Sequence, residues 1–242
     1  MSLSVIIPTY NEKENLPVLV GRLQQLPLEE LSILIIDDNS PDGTGELADA
    51  LAQQYSGKIS VMHRQGKLGL GTAYIAGFKH LLETPVDYIV QMDADFSHQP
   101  EKIVEFAREI PAYDMVLGSR YIPGGSLDET WPFWRKALST FGNLYARIIL
   151  GMRVKDLTGG FRMWRRETLA AIPLDEIRSN GYIFQVEMAY VASKLGFKFK
   201  EVPIYFAERK FGQSKMNLSI QLEAAIRVWG LRARYRDLKP IK

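Results

Sequence analysis

Cysteine is absent from the 242-residue chain, which excludes disulfides, thiolate metal centres and thiol nucleophiles. Histidine is scarce: a three-histidine zinc site would need His63, His80 and His98 to converge from three distant elements. Long apolar runs are missing too. No uncharged stretch exceeds the eleven residues Leu68 to Phe78, against roughly 18 or more mostly apolar residues for a spanning helix. The opening Met1 to Pro8 lacks the basic region, apolar stretch and cleavage site of a secretory signal. The expectation is therefore no transmembrane segment and no signal peptide. No linker rich in Gly, Ser and Pro, no repeat and no low-complexity tract divides the chain, so a single domain over residues 1–242 is expected. With 46% hydrophobic and 24% charged residues, disorder is excluded as the main state.

An overall excess of one charge is also lacking, since 30 Lys and Arg face 28 Asp and Glu. The distribution is uneven. Residues 1–121 carry 9 basic and 17 acidic residues, whereas residues 122–242 carry 21 and 11. An acidic half suits divalent cations and a basic half suits anions, although two oppositely charged solvated faces would give the same counts. The basic residues carry no motif that reads nucleic acid, so no nucleic-acid partner is expected.

The first half alternates apolar runs with amphipathic patterns. Leu3–Ile7, Ser32–Ile36, Ile59–His63, Tyr88–Met92 and Met115–Ser119 read as strands. Glu14–Leu26, Gly45–Tyr55, Leu70–Leu82 and Pro100–Arg108 read as the helices between them. Such alternation implies right-handed crossovers and an α/β fold, a mostly parallel central sheet flanked by helices. Beyond Tyr121 the spacing predicts a loop over Ile122–Thr130, helices over Trp134–Leu150, Tyr182–Leu195 and Leu218–Arg234, a turn and strand over Asp156–Trp164, and a strand over Phe197–Phe206.

In parallel sheets ligands sit beyond the carboxyl ends of the strands, and three strand ends here carry candidates. Asp93-Ala94-Asp95 follows the fourth strand. Two neighbouring carboxylates repel, and a divalent cation that neutralises them is one reason to build such a pair; capping of the next helix is the other. Tyr10 and Glu12 follow the first strand, and Asp37-Asp38 ends the second. An aromatic face and carboxylate acceptors suit a nucleoside, while each segment alone is also an ordinary turn. Gly69-Leu70-Gly71-Thr72-Ala73 is not a dinucleotide fingerprint, because Tyr74 replaces the third glycine; a tight turn opening a packed helix is expected.

Taken in order, Pro8-Thr9-Tyr10-Asn11-Glu12, Asp37-Asp38 with Asp42-Gly43-Thr44, Gly69 to Ala73, Asp93-Ala94-Asp95 with Ser97-His98, Gly118-Ser119-Arg120-Tyr121, Asp156 to Arg162 and Arg209 to Lys215 resemble the motif series of the dolichol-phosphate (polyprenol-phosphate) mannose synthases. These are inverting family-2 glycosyltransferases of the GT-A nucleotide-diphospho-sugar transferase fold. The resemblance implies transfer of mannose from GDP-mannose to a polyprenyl phosphate with inversion, giving β-mannosyl phosphopolyprenol and GDP. It divides the chain into a nucleotide-sugar half (1–121), an acceptor half (122–217) and a C-terminal basic helix and tail (218–242). It places Pro8, Tyr10, Glu12, Ile36 and Asp38 around the guanosine, and Asp93 and Ala94 near the ribose and diphosphate. Asp95 becomes the principal ligand of Mg²⁺ or Mn²⁺, with Asp93 and Ser97 on the same side. Ser97 stands where some relatives carry Gln, and its shorter reach implies action through water or none. Arg120, Arg209 and Lys215 match positions facing the donor phosphates or the transferring site.

Arg135, Lys136 and Ser139 match acceptor-phosphate positions, and Arg162 is a second candidate for that role. A solvated basic face is the plain alternative for these cations. Trp131, Phe133 and Trp134 beside them suit either an interfacial anchor or core packing. Leu218, Leu222, Ala225, Ile226 and Trp229 recur at helical spacing among arginines, which suits anionic lipid or packing against the catalytic domain. The implied location is peripheral, on the cytoplasmic face of a membrane, through this surface, a membrane-anchoring subunit or both. UDP-glucose or UDP-N-acetylglucosamine as donor, and a noncatalytic nucleotide-sugar or anionic-lipid binding module, are the competing readings.

Overall fold

The computed structural model describes residues 1–208 and 218–241. Strands β1 (Leu3–Thr9), β2 (Leu31–Asp37), β3 (Ile59–His63), β4 (Tyr88–Gln91) and β5 (Met115–Ser119) alternate with helices α1 (Leu16–Gln24), α2 (Thr44–Gln54), α3 (Leu70–Leu82) and α4 (Lys102–Glu109). The runs in β1 and β2 are apolar nearly throughout because helices cover both faces of the sheet, leaving no solvent side to mark with alternation. α1 begins two residues later than its pattern suggests. Asn11 takes φ +62°, and a turn in which the Asn15 N–H donates to the Glu12 carbonyl precedes the helix.

The second half supplies β6 (Ser126–Leu127), α5 (Phe133–Leu150), β7 (Arg162–Arg165), α6 (Arg166–Ala171), α7 (Tyr182–Lys194), β8 (Phe199–Pro203), β9 (Tyr205–Phe206) and α8 (Leu218–Arg234). The main sheet runs β3-β2-β1-β4-β7-β5-β8, and β6 pairs with β9 apart from it. β7 is antiparallel to both neighbours, with Arg162 opposite Gln91 of β4 and Leu117 of β5. That inversion presents the amino end of β7 at the rim where β4 and β5 have their carboxyl ends, so the 156–161 loop enters the same rim. The turn and strand expected over Asp156–Trp164 are found as a loop up to Phe161 followed by β7, whereas the strand expected over Phe197–Phe206 is corrected: it breaks at Ile204, and β9 pairs with β6.

Two apolar layers hold the sheet. Val5, Ile7, Ile33, Ile35 and Val116 pack on α1, α2 and α4. Ile6, Leu34, Ile36, Leu117 and Trp164 pack on α3, α6, α7 and α8. Gly71, in the first turn of α3, approaches the 177–181 segment so closely that a Cβ there would lie 2.6 Å from the Ser179 carbonyl oxygen, as expected of a packed helix start rather than a phosphate loop. α7 is buried from Ile183 to Ala192, since the sheet covers one side and α8 covers another. Val228, Leu231 and Tyr235 form the inner face at α8, while Ile226 and Trp229 point outward. Of the two sequence alternatives for that helix, packing against the domain is observed, and Ile226 and Trp229 stay exposed beside it. Among the described residues no helix is long and apolar enough to cross a membrane.

Candidate active site at the carboxyl rim of the sheet

The ends of β1 and β2 lie side by side, Thr9 opposite Asp37. Asp37 is consumed by the turn, accepting from Ser40 N at 3.1 Å, Ser40 Oγ at 2.5 Å and Thr9 Oγ1 at 3.3 Å. Asp38 is left for the rim and lies 3.0 Å from Arg64 Nη1. Burial pushes its carboxyl above the usual range, and Arg64 only partly opposes this. Glu12 accepts from Asn15 Nδ2 at 2.7 Å, and Lys67 Nζ stands 3.7 Å from the centre of the Tyr10 ring. Pro8 sits in register with Ile36. The Ile36 and Ala94 side chains belong to the core, so a contact from either residue to a ligand would come through its backbone.

The turn after β4 is built to hold carboxylates. Asp95 Oδ1 accepts from Ser97 N at 3.0 Å and Ser97 Oγ at 2.6 Å, so Ser97 orients the Asp95 carboxylate. The Asp93 N–H donates to His98 Nδ1 at 3.3 Å. His98 is buried, stacked on Phe161 with ring centres 5.0 Å apart, and burial lowers its pKa. It is therefore neutral with its proton on Nε2. Tyr74 OH donates to Asp93 Oδ1 at 3.2 Å. Burial and the Asp93 charge push that phenol well above its ordinary pKa, so it remains a donor. Among the described residues no three His, Cys, Asp or Glu side chains form a metal-binding group.

Arg120 follows β5 and forms a two-pronged pair with Asp156: Nε to Oδ2 and Nη2 to Oδ1, both 2.7 Å. The Arg120 N–H also donates to Oδ2 at 3.0 Å, and Nη2 donates to Thr158 Oγ1 at 2.7 Å. Asp156 is wholly buried. Burial opposes its ionisation, but the Arg120 charge and hydrogen bonds outweigh this and hold the carboxyl below its usual range. Arg120 is thus tied into the loop before β7. Arg162 corrects its expected role as an acceptor-phosphate ligand. It is fully buried and donates to the carbonyls of Gly159 (2.9 Å), Gln185 (2.7 Å) and Leu157 (2.7 Å). Among the described residues no carboxylate bonds to it, and burial pushes its pKa down to about 9.

On the acceptor side Arg135 donates to Glu208 at 2.8 Å and lies 3.6 Å from the Trp131 ring centre. Lys136 donates to the Glu129 carbonyl at 3.3 Å. Ser139 Oγ and Tyr121 OH are 2.7 Å apart, and the Arg120 guanidinium stands 5.2 Å from the Tyr121 ring centre, so Tyr121 links the two sides. The three aromatics divide: Trp131 is buried, while Phe133 and Trp134 are 86% and 64% exposed. Arg209 and Lys215 lie outside the described residues. The sequence reading missed Tyr74, the role of His98, and Gln185, although Gln185 and Glu187 stand out as polar residues inside an apolar helix.

A family model described as glycosyl transferase family 2 matches residues 4–172. An undecaprenyl-phosphate mannosyltransferase of Micrococcus luteus is 48% identical over 99% of this chain and 98% of its own length. A polyprenol monophosphomannose synthase of Mycolicibacterium smegmatis is 47% identical over 95% and 87%. Among solved structures, a mannosyltransferase of Pyrobaculum calidifontis in complex with GDP-Man and Mn²⁺ superposes with a TM-score of 0.64 at 16% identity, over 98% of this chain and 65% of that one. A glucosyl-3-phosphoglycerate synthase of Mycobacterium tuberculosis with Mn²⁺ and UDP gives 0.65 at 17% identity, over 96% and 79%.

Proposed function

The chain belongs to glycosyl transferase family 2, and on that premise we propose that it transfers mannose from GDP-mannose to a polyprenyl phosphate at a membrane surface. The observation that carries the reading is the near-full-length identity to two enzymes named for mannosyl transfer to polyprenyl phosphates. The donor choice is supported by the family motifs on the rim. Asp38, Glu12 and Tyr10 offer acceptors and an aromatic face to the guanosine.

Asp95, oriented by Ser97, and Asp93 on the same turn would hold Mg²⁺ or Mn²⁺. A donor set of one or two carboxylates fits these ions, which take their remaining oxygens from water and a diphosphate. Such an ion offsets charge on the departing nucleotide. Arg135, Lys136 and Ser139 would hold the acceptor phosphate at the start of α5. Its oxygen is anionic near neutral pH and attacks the anomeric carbon directly, so inversion follows from one displacement and no general base is assigned. The protein's task is alignment of two anions that repel.

Phe133, Trp134, Phe141 and Ile148 of α5 are exposed, as are Ile226 and Trp229 of α8. The two helices are joined where Trp229 Nε1 donates to Tyr145 OH at 2.9 Å. Trp134, Phe141 and Ile148 recur every seven residues and so share one face. This face, with Arg232 donating to the Ile149 carbonyl beside it, is read as the part that lies on the bilayer. Replacing Phe133 and Trp134 together by serine is expected to weaken sedimentation with anionic vesicles about tenfold or more, since burying each large apolar side chain contributes about 1.5 kcal/mol or more. Undiminished vesicle binding would remove the membrane assignment of this face.

The function itself is tested by offering GDP-mannose or UDP-glucose with a polyprenyl phosphate, with Mg²⁺ or Mn²⁺ and with a chelator. Mannosyl phosphopolyprenol should form from GDP-mannose alone and only with the ion. Transfer from UDP-glucose instead would overturn the donor assignment.

A further inference from the structure

Gln185 sits in the first turn of α7, only 2% exposed, and its amide is fixed by a relay running beneath the rim. The Trp164 indole can only donate, and it does so to Gln91 Oε1 at 2.6 Å. Gln91 must then present Nε2 to its other neighbour, and it donates to Gln185 Oε1 at 3.4 Å. Gln185 Nε2 therefore points away from Gln91, and among the described residues it is buried without a hydrogen-bond partner. A buried donor left unmade destabilises its surroundings, and a ligand that accepts from it removes that penalty.

What lies beside this nitrogen is set by Gly160, in the loop that the inverted β7 brings to the rim. A Cβ built on Gly160 would stand 3.4 Å from Gln185 Nε2, 3.7 Å from Asp93 Oδ2 and 3.8 Å from Asp93 Oδ1. The space that Gly160 leaves is thus bordered by an amide donor and a carboxylate. That combination suits a neutral hydroxyl, which accepts from the amide and donates to the carboxylate. A phosphate oxygen beside Asp93 would need a cation between them, whereas a hydroxyl meets the amide and the carboxylate directly.

We propose that Gln185, together with Asp93 and the opening at Gly160, binds a hydroxyl of the sugar being transferred and sets the enzyme's choice of hexose. This rests on the glycosyl-transfer reading above and adds a specificity-determining contact to it. A site that hydrogen-bonds a substrate hydroxyl discriminates strongly against the analogue lacking it, because its own buried polar group is then left unpaired.

The test is a series of monodeoxy analogues of the GDP-sugar donor, compared by kcat/KM in the wild-type chain, Gln185→Leu and Gly160→Ala, with GDP binding measured for each. Wild type should lose about 10²-fold or more on one analogue of the series. In Gln185→Leu that ratio should fall to about threefold or less while the ratios for the other analogues persist. Gly160→Ala guards against a folding defect: its methyl meets neighbours no closer than 3.4 Å, so the chain should fold and bind GDP, yet transfer should drop about 10²-fold or more. If wild type forms no product from any GDP-sugar, the glycosyl-transfer reading falls and takes the contact with it. If wild type transfers mannose, but Gln185→Leu slows every donor equally or Gly160→Ala retains full transfer, the contact is wrong and the transfer reading stands.

Discussion

Asp95→Asn is expected to lower mannosyl transfer by about 10²-fold or more while the chain stays folded. The substitution is chosen for what it keeps. Asparagine retains an acceptor oxygen for Ser97 N and Ser97 Oγ, which hold the present carboxylate at 3.0 and 2.6 Å, so the turn after β4 survives. What disappears is the charge that, in the proposed function, would draw a divalent cation to the donor diphosphate. The loss should appear in kcat/KM with an unchanged circular-dichroism spectrum and a thermal midpoint within a few degrees of wild type. Full activity in this variant would show that Asp95 is not the metal ligand.

Asp156→Ala acts on the fold instead and should cost about 3–5 kcal/mol, because it leaves the buried Arg120 charge unpaired. Asp156 also accepts from the backbone N–H of Arg120 at 3.0 Å and of Gly159 at 3.1 Å, so the loop that carries Gly160 to the rim loses its anchor. In a domain of this size the change corresponds to roughly 10 °C in Tm, readable by calorimetry or urea titration. Replacing both partners, Arg120→Met with Asp156→Leu, should recover part of the stability but not the activity. The pH dependence has a definite sign. The folded Asp156 carboxyl is held below its ordinary value, so the stability it lends is complete above about pH 4 and disappears as the pH falls through the lowered native value. The alanine variant should therefore lose less stability than wild type on acidification. A Tm within two or three degrees of wild type at neutral pH would contradict this account.

Much of the frame was legible from residue patterns because each decision was local. β3, α3 and β5 have the bounds that their apolar runs predict, and the rim candidates lie at strand ends because a parallel sheet sends all its carboxyl ends one way. What escaped the sequence depended on contacts between distant segments. Nothing in the spacing of Asp156 to Arg165 says that this strand inserts backwards between β4 and β5, and only that insertion buries Arg162 among three backbone carbonyls. Arg120 and Asp156 are 36 residues apart, so their pairing is invisible until the sheet is assembled. Ile226 and Trp229 fall on an apolar helical pattern, yet α8 turns Val228 and Leu231 inward because α5 and α7 meet it on that side. Gln185 did carry a signal, a polar side chain amid buried neighbours, but its meaning required the relay from Trp164.

The central claim is that a divalent cation joins the Asp95 carboxylate to a nucleotide diphosphate at the strand rim. A crystal structure of the wild-type chain with GDP and Mn²⁺ tests it most directly. The account predicts anomalous density for one ion bonded to Asp95 and to both phosphates of GDP, with the guanosine beside Tyr10 and Asp38. GDP bound with no ion between it and Asp95, or an ion bound elsewhere, would contradict it.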